Sequence, residues 1–335
     1  MVKVNMTVSN LSSLATLRLK ACQPKIECCD ENESCSSSDS YCTNYSELFE
    51  RHLSDEWLSS RWLYKMVQSI TVIYAKYFHN YTLEGAHHIP KDGSAMFVSL
   101  HSTHNTDIPI AALVPQRYTG RPIRCLLHSW SWWYQSIFIR LGGIAGTRKS
   151  VRQIFDSNLL AACIPGGVEE AFLHVASNGK HAYELNWTSF SGNPRRGFAS
   201  LALEMGPGFK IIPCFNQNSE EMRWNPFYEI WSFLGLDYAY GRAIRRLPKG
   251  LRNFLWSSAL VVWVTLGIFA IPIPVKVTGH VAEPVVVEEG DTVESLAIRV
   301  KERFEDLIIS KQGRRHRSYW QGLKERFAFK TVKSD

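Results

Sequence analysis

Long apolar runs are nearly absent from this chain, and their absence excludes whole classes of protein. Only one uncharged stretch, 254–275, approaches the roughly 20 residues needed to cross a bilayer, and mean hydropathy is −0.15. A polytopic transporter is excluded, and any membrane attachment must be local. Several catalytic signatures are also missing: there is no G-x-S-x-G elbow, no H-E-x-x-H, no Walker loop and no G-x-G-x-x-G in a strand–helix setting. A serine lipase, a metallohydrolase and a nucleotide-dependent enzyme all lose support. Cys22, Cys28, Cys29, Cys35 and Cys42 form no C-x-x-C pair and have no interleaved histidine, so a zinc site is a poor reading. Their odd number is also awkward for closed disulfides. Cys125, Cys163 and Cys214 sit in apolar runs and read as small buried hydrophobes. Cysteine usage thus fits a reducing, cytosol-facing domain. No basic stretch followed by an apolar one opens the chain, so no cleaved signal peptide is expected. There is no internal repeat.

What is present suits one sizeable domain with appendages. The 335 residues are 45% hydrophobic and 21% charged, enough to bury a core. The formal charge of +7, from 38 Lys+Arg and 31 Asp+Glu, is unevenly placed. Basic residues gather at Arg242, Arg245, Arg246, Lys249 and Arg252, and again from Lys311 through Lys333. The first group runs straight into the uncharged stretch, which fits anionic lipid headgroups better than nucleic acid. The second group reads as a solvated helix face.

Residues 1–50, rich in Ser, Cys, Asn and acids, are expected to be disordered. Trp57, Leu58, Trp62, Leu63, Met66, Val67, Ile70, Ile73, Tyr74 and Tyr77 then recur at three- and four-residue steps. That spacing predicts an amphipathic helix in the segment 57–84, facing either a membrane interface or a protein core. The stretch 254–275 ends at Pro272 and Pro274. Its usable helical length is about 18 residues, the lower edge for spanning, so a shallow or re-entrant insertion serves as well as a full span, whereas a buried core helix would not need apolarity on every face. Candidate strands at 95–100, 123–127, 159–164 and 209–215 alternate with candidate helices at 109–115, 131–141 and 196–205. Such alternation implies parallel crossovers and an α/β fold. A last amphipathic helix is predicted over 292–310, followed by a basic tail, 313–335.

Three blocks carry chemistry. His101 follows the first strand, and Asp107 with Pro109 makes a good helix start. Residues 101–106 are then a loop at the C-terminal end of a strand, where open α/β sheets place ligands. A histidine there can take a proton from an alcohol near neutral pH, and a carboxylate can fix its tautomer. His104 is a rival base, and a loop histidine bonded to backbone is the plain alternative. In Pro165-Gly166-Gly167-Val168-Glu169-Glu170, two glycines at a strand end either approach an oxyanion or form a tight turn. Arg148, after Gly142-Gly143-Ile144-Ala145-Gly146-Thr147, either holds an anionic group or sits in water.

In this order the blocks resemble the lysophospholipid and glycerolipid acyltransferase superfamily. That family carries His-x4-Asp, a Gly-containing block ending in Arg, a Pro-Glu-Gly-Thr-Arg-like block and an Ile-Pro-containing strand. This chain departs twice. Five residues separate His101 from Asp107, and the third block is Pro165-Gly166-Gly167-Val168-Glu169. Both departures resemble the branch of transmembrane protein 68 and the plant phytyl ester synthases, related to diacylglycerol acyltransferase type 2. Asn186-Trp187, Arg196-Gly197-Phe198-Ala199, Ile211-Ile212-Pro213, Gln217-Asn218 with Glu220 or Glu221, and Gly279-His280 extend the likeness over about residues 57–312.

The resemblance implies a glycerolipid-acyltransferase-like α/β domain over 85–312, with a mainly parallel sheet flanked by helices and one or two membrane-associated apolar helices. It implies acylation of a neutral glycerolipid at the endoplasmic reticulum membrane, with the domain facing the cytosol. His101 would be the base and Asp107 its orienting group, with Arg148, Pro165, Gly166, Gly167 and Glu169 around the substrates. Acyl-CoA would be the co-substrate, with no metal or tightly bound cofactor. Membrane lipids and the acyl donor would be its partners, nucleic acid not. Glu169 stands where the family's third block has arginine, and a carboxylate there disfavours a phosphate-bearing acceptor.

Overall fold

The computed structural model describes residues 50–328 apart from 105–106, 128–134, 168–169, 172–181, 190–191, 236–245, 249, 252–254, 256–257, 259–261, 263–264, 268 and 314–318. The expected N-terminal segment, save Glu50, lies outside the described residues. Ser54 caps α1 (Asp55–Ser60) by accepting the Trp57 N–H. Arg61 then takes an extended backbone, φ −65 and ψ 128, and interrupts the helical run before α2 (Trp62–Ile73). A π turn, Tyr74–Phe78, continues α2. Asn80 turns the chain with φ +47, and strand β1 (Thr82–Glu84) follows. The helix expected in 57–84 is therefore two helices, a break and a strand, a correction that the apolar spacing alone does not reveal.

The remaining elements alternate. β2 (Ala95–Ser99) leads to α3 (Asp107–Leu113) and the one-turn α4 (Gln116–Thr119). β3 (Ile123–Leu127), α5 (Gln135–Arg140), β4 (Gly143–Ala145), α6 (Arg148–Asp156) and β5 (Leu160–Cys163) come next. After them come α7 (Gly197–Met205), β6 (Lys210–Gln217), β7 (Arg223–Trp224) and α8 (Pro226–Phe233). The chain closes on β8 (Ile271–Pro272), β9 (Thr278–Val281), β10 (Val285–Val286), α9 (Val293–Lys311) and α10 (Tyr319–Phe327).

The main sheet runs β1-β9-β6-β2-β5-β3-β4, with β10 also on β6. Five of its pairings are parallel; β9 and β10 run antiparallel to β6. The expected mainly parallel sheet flanked by helices is present. β2 lies between β5 and β6, with Ala95 opposite both Leu160 and Lys210. Its residues alternate between two cores: Met96 and Val98 face one, Ala95 and Phe97 the other. A strand covered on both faces must read as one unbroken apolar run, as this one does. Each such side chain withdrawn from water contributes roughly 1.5–3 kcal/mol, as an upper bound.

Two helices fasten the ends. Thr292 and Ser295 form a capping box that starts α9, and Leu296, Val300, Phe304 and Ile308 bury a stripe at four-residue steps. Arg124 of β3, fully buried, donates to the His52 carbonyl and to Asp55 Oδ1 and so holds α1 against the sheet. The domain limits of 85–312 prove too narrow. β1 pairs with β9, and within the expected basic tail α10 donates and accepts bonds with the body, Lys276 N–H reaching Gly322 O at 3.1 Å.

Among the described residues no helix is long and apolar enough to cross a membrane. The expected segment 254–275 lies partly outside the described residues. Its last part is extended rather than helical: β8 pairs with β7, and Ala270 and Val275 are buried. Pro272 and Pro274 have no N–H for a helix, which explains the change.

Candidate active site

The loop after β2 sits at the C-terminal end of the central strand, and it is buried although polar. His101, Ser102 and Thr103 are all below 9% exposed. His101 Nδ1 lies 2.9 Å from the Ser102 carbonyl. A carbonyl oxygen only accepts, so Nδ1 donates in that contact, as in the backbone-bonded loop histidine the sequence allowed. In a neutral ring with that tautomer, Nε2 is the nitrogen a general base uses. α3 begins at Asp107 with Pro109 in its first turn, as expected. The Asp107 side chain lies outside the described residues, and so does the expected bond to His101. The ring of His104 stacks instead on Tyr228 of α8, 5.8 Å between centroids at 11°.

Two buried carboxylates hold this loop. Glu170 Oε2 accepts the His101 N–H at 2.9 Å, while Oε1 accepts the Asn186 N–H at 2.9 Å. Glu220 accepts the Thr103 N–H at 3.0 Å through Oε1 and 3.3 Å through Oε2. Thr103 Oγ1 also donates to the Ala171 carbonyl. A third carboxylate, Glu221, accepts the Tyr183 hydroxyl at 2.6 Å, and that same hydroxyl accepts the Glu220 N–H at 3.0 Å. Burial first, then the charges of Glu221 and Glu220, pushes the Tyr183 phenol well above its usual value, so it stays a donor. Tyr183 also carries φ +64, a left-handed backbone that costs a tyrosine about 1 kcal/mol or more and that concentrates at functional sites.

The other expected residues divide. Gly167 has φ +57 and its N–H donates to Ile164 O at 3.0 Å, so the turn already uses that amide. Gly167 thus takes the tight turn that the sequence also allowed. Gly166 is buried against Glu170. Pro165 and Gly166 present their carbonyls to Arg195 Nη1, at 3.3 and 2.8 Å. Glu169 lies outside the described residues. Arg148 opens α6 and turns to α7, donating to Glu204 Oε1 at 2.5 Å and Ser200 Oγ at 3.0 Å, with its side chain 69% exposed. It is a paired surface group here. Cys125, Cys163 and Cys214 are half-buried against the cores rather than fully buried. Desolvation pushes their thiols up to about 11 for Cys125 and about 12 for Cys163 and Cys214, which disfavours the reactive thiolate. Among the described residues no group of His, Cys, Asp and Glu is placed to hold a metal.

Glu170 and Tyr183 are the buried polar residues at this loop whose part the sequence pattern did not single out. One signal was available: Glu170 stands four residues after Gly166, one helical turn away.

Comparison with known proteins finds likenesses along most of the chain, to enzymes named for storage-lipid synthesis. No protein-family model matches the chain. It is 26% identical over 268 residues to the "DGAT1/2-independent enzyme synthesizing storage lipids" of Bos taurus, covering 79% of this chain and 69% of that one. The Homo sapiens enzyme of the same name is 25% identical over 268 residues, covering 79% and 71%. A solved structure, the 1-acyl-sn-glycerophosphate (LPA) acyltransferase PlsC from Thermotoga maritima, is similar with a TM-score of 0.46 and 13% identity, covering 80% of this chain and 89% of that one.

Proposed function

We propose that this protein is an O-acyltransferase that esterifies a neutral glycerolipid, mono- or diacylglycerol, and so contributes to triacylglycerol synthesis. The observation that carries the proposal is the placement of His101 at the mouth of a parallel sheet, with Nδ1 donating to the Ser102 carbonyl, so that in a neutral ring Nε2 is the nitrogen to act as base. The similarity to enzymes named for storage-lipid synthesis supplies the direction.

In this reading Nε2 removes the acceptor's hydroxyl proton as the oxygen attacks the acyl carbonyl of an acyl-CoA. Collapse of the tetrahedral adduct breaks the thioester bond, and the proton passes from His101 to the departing thiolate. Asp107, close along the chain, stabilises the protonated form of the ring by its charge. Pro165 and Gly166 border the acyl group. Glu169, at the position of the superfamily's arginine, disfavours a phosphate on the acceptor. Both substrates partition into bilayers, so the protein works at a membrane surface, that of the endoplasmic reticulum, from the cytosolic side. The exposed apolar residues of α2, with Arg61, Lys65 and Lys76 beside them, support this placement.

The test is turnover by purified protein in liposomes, with oleoyl-CoA and three acceptors: monoacylglycerol, diacylglycerol and lysophosphatidic acid. Neutral glycerides are expected to be acylated, and His101→Ala to lose about 10²–10⁴-fold. Equal background transfer by both proteins would defeat the proposal. Preference for lysophosphatidic acid would move it to a phospholipid acceptor.

A further inference from the structure

We propose that Glu170 is the positioning carboxylate of the His101 loop, and that it fills the space a glutamate at position 166 would otherwise fill. The inference rests on the reading of His101 as the base. Glu170 is fully buried, and its two oxygens join the His101 N–H to the Asn186 N–H. It stands one turn after Gly166, its own N–H donating to the Gly166 carbonyl at 3.3 Å.

The space at Gly166 gives the second observation. A β-carbon built there would lie 2.3 Å from Glu170 Cδ and 2.5 Å from both carboxylate oxygens. No side chain at position 166 can coexist with this carboxylate. Within one glutamate, Cβ and Cδ are two bonds apart, about 2.5 Å from ordinary C–C lengths. A glutamate at 166 would therefore bring its own carboxylate into the space that of Glu170 now occupies, with a shift of about 1 Å to relieve the 2.5 Å contacts to the oxygens. The superfamily block Pro-Glu-Gly-Thr-Arg has its glutamate at this very position, where the present chain has glycine. The carboxylate has in effect moved four residues along the chain while keeping its place in space. Gly166 is glycine because it must vacate that place.

Losing the carboxylate frees the backbone on which the base is mounted. A shift of about 1 Å in a catalytic group can lower turnover about 100-fold. The test compares E170A, E170Q, G166E and the double variant G166E/E170A, with H101A as reference, using dioleoylglycerol and oleoyl-CoA in liposomes. E170A is expected to lose about 100-fold in kcat with KM little changed. G166E alone is expected to be damaged because two carboxylates compete for one site. The double variant is expected to recover to within about tenfold of wild type, a reciprocity that loss of general packing would not produce.

E170Q keeps the shape but presents an amide –NH2 to one of the two N–H donors. If thermal melting shows E170A unfolded, E170Q and the double variant decide. Full kcat in folded E170A or E170Q, or a double variant no better than the worse single, would overturn the proposal. Undiminished turnover by H101A would instead defeat the functional reading on which it rests.

Discussion

The His101 loop and the outer face of α2 break the ordinary sorting of residues in opposite directions. The loop buries charge: Glu170, Glu220 and Glu221 are each below 5% exposed, and two of them are bonded to the backbone that carries the proposed base. α2 exposes oil. Trp62, Met66, Ile70, Ile73 and Tyr77 form a stripe at four- and three-residue steps, between 44% and 70% exposed, while Tyr64 and Ala75 on its other side are fully buried. Buried polar groups and exposed apolar stripes are the two departures that carry information. The first says that geometry is being held; the second marks a candidate contact surface. On the choice the sequence left open, the helix sets one face on the core and leaves the other outward.

The comparison breaks most visibly at the stripe. Trp62→Glu with Ile70→Glu is expected to remove about 1.5–3 kcal/mol of apolar transfer per side chain, and binding to anionic liposomes should fall at least about 100-fold in sedimentation. Because both residues already face outward, the melting temperature should hardly move. A cooperative loss of fold would mean the stripe packs against protein. Glu220→Ala should behave in the opposite way. It leaves the buried Thr103 N–H without this acceptor, at about 1–3 kcal/mol in a denaturant titration, and turnover should drop while liposome binding stays.

A third test concerns pH. Burial holds His52, His79 and His280 down to about 4 from the usual 6.5, with Arg124 adding to the effect at His52. Unfolded histidines take up protons below about 6.5 while these do not, so the unfolded state binds more protons there. Stability is full above 6.5 and declines as pH falls toward about 4. Melting followed across that window should show the decline, and His52→Phe, which keeps a ring beside Trp57, should lessen it. A flat curve would contradict the neutral, buried state of these rings.

Much of the frame was legible because the central strands are covered on both faces and so spell unbroken apolar runs. The expected strand 95–100 and the observed Ala95–Ser99 differ by one residue, as do 292–310 and Val293–Lys311 by one at each end. The break at Arg61 was not legible. Apolar residues on both sides of it keep helical spacing, because α1 and α2 each bury a face. β1 was missed because three residues are too few to show alternation. The strand order is invisible to any local pattern. At the site, His101 was readable from its place after a strand. Glu170 was marked only by its place one turn after Gly166 and Glu220 only by the family likeness, since a glutamate in a helix or turn ordinarily lies in water.

The central claim is that the His101 ring acts as a base, and chemical rescue tests it most directly. His101→Gly, assayed for acyl transfer from oleoyl-CoA to dioleoylglycerol with added imidazoles of graded basicity, should be nearly inactive alone. It should recover with imidazole, and recover more with the more basic ones. Turnover by His101→Gly equal to wild type without any added base would contradict the account.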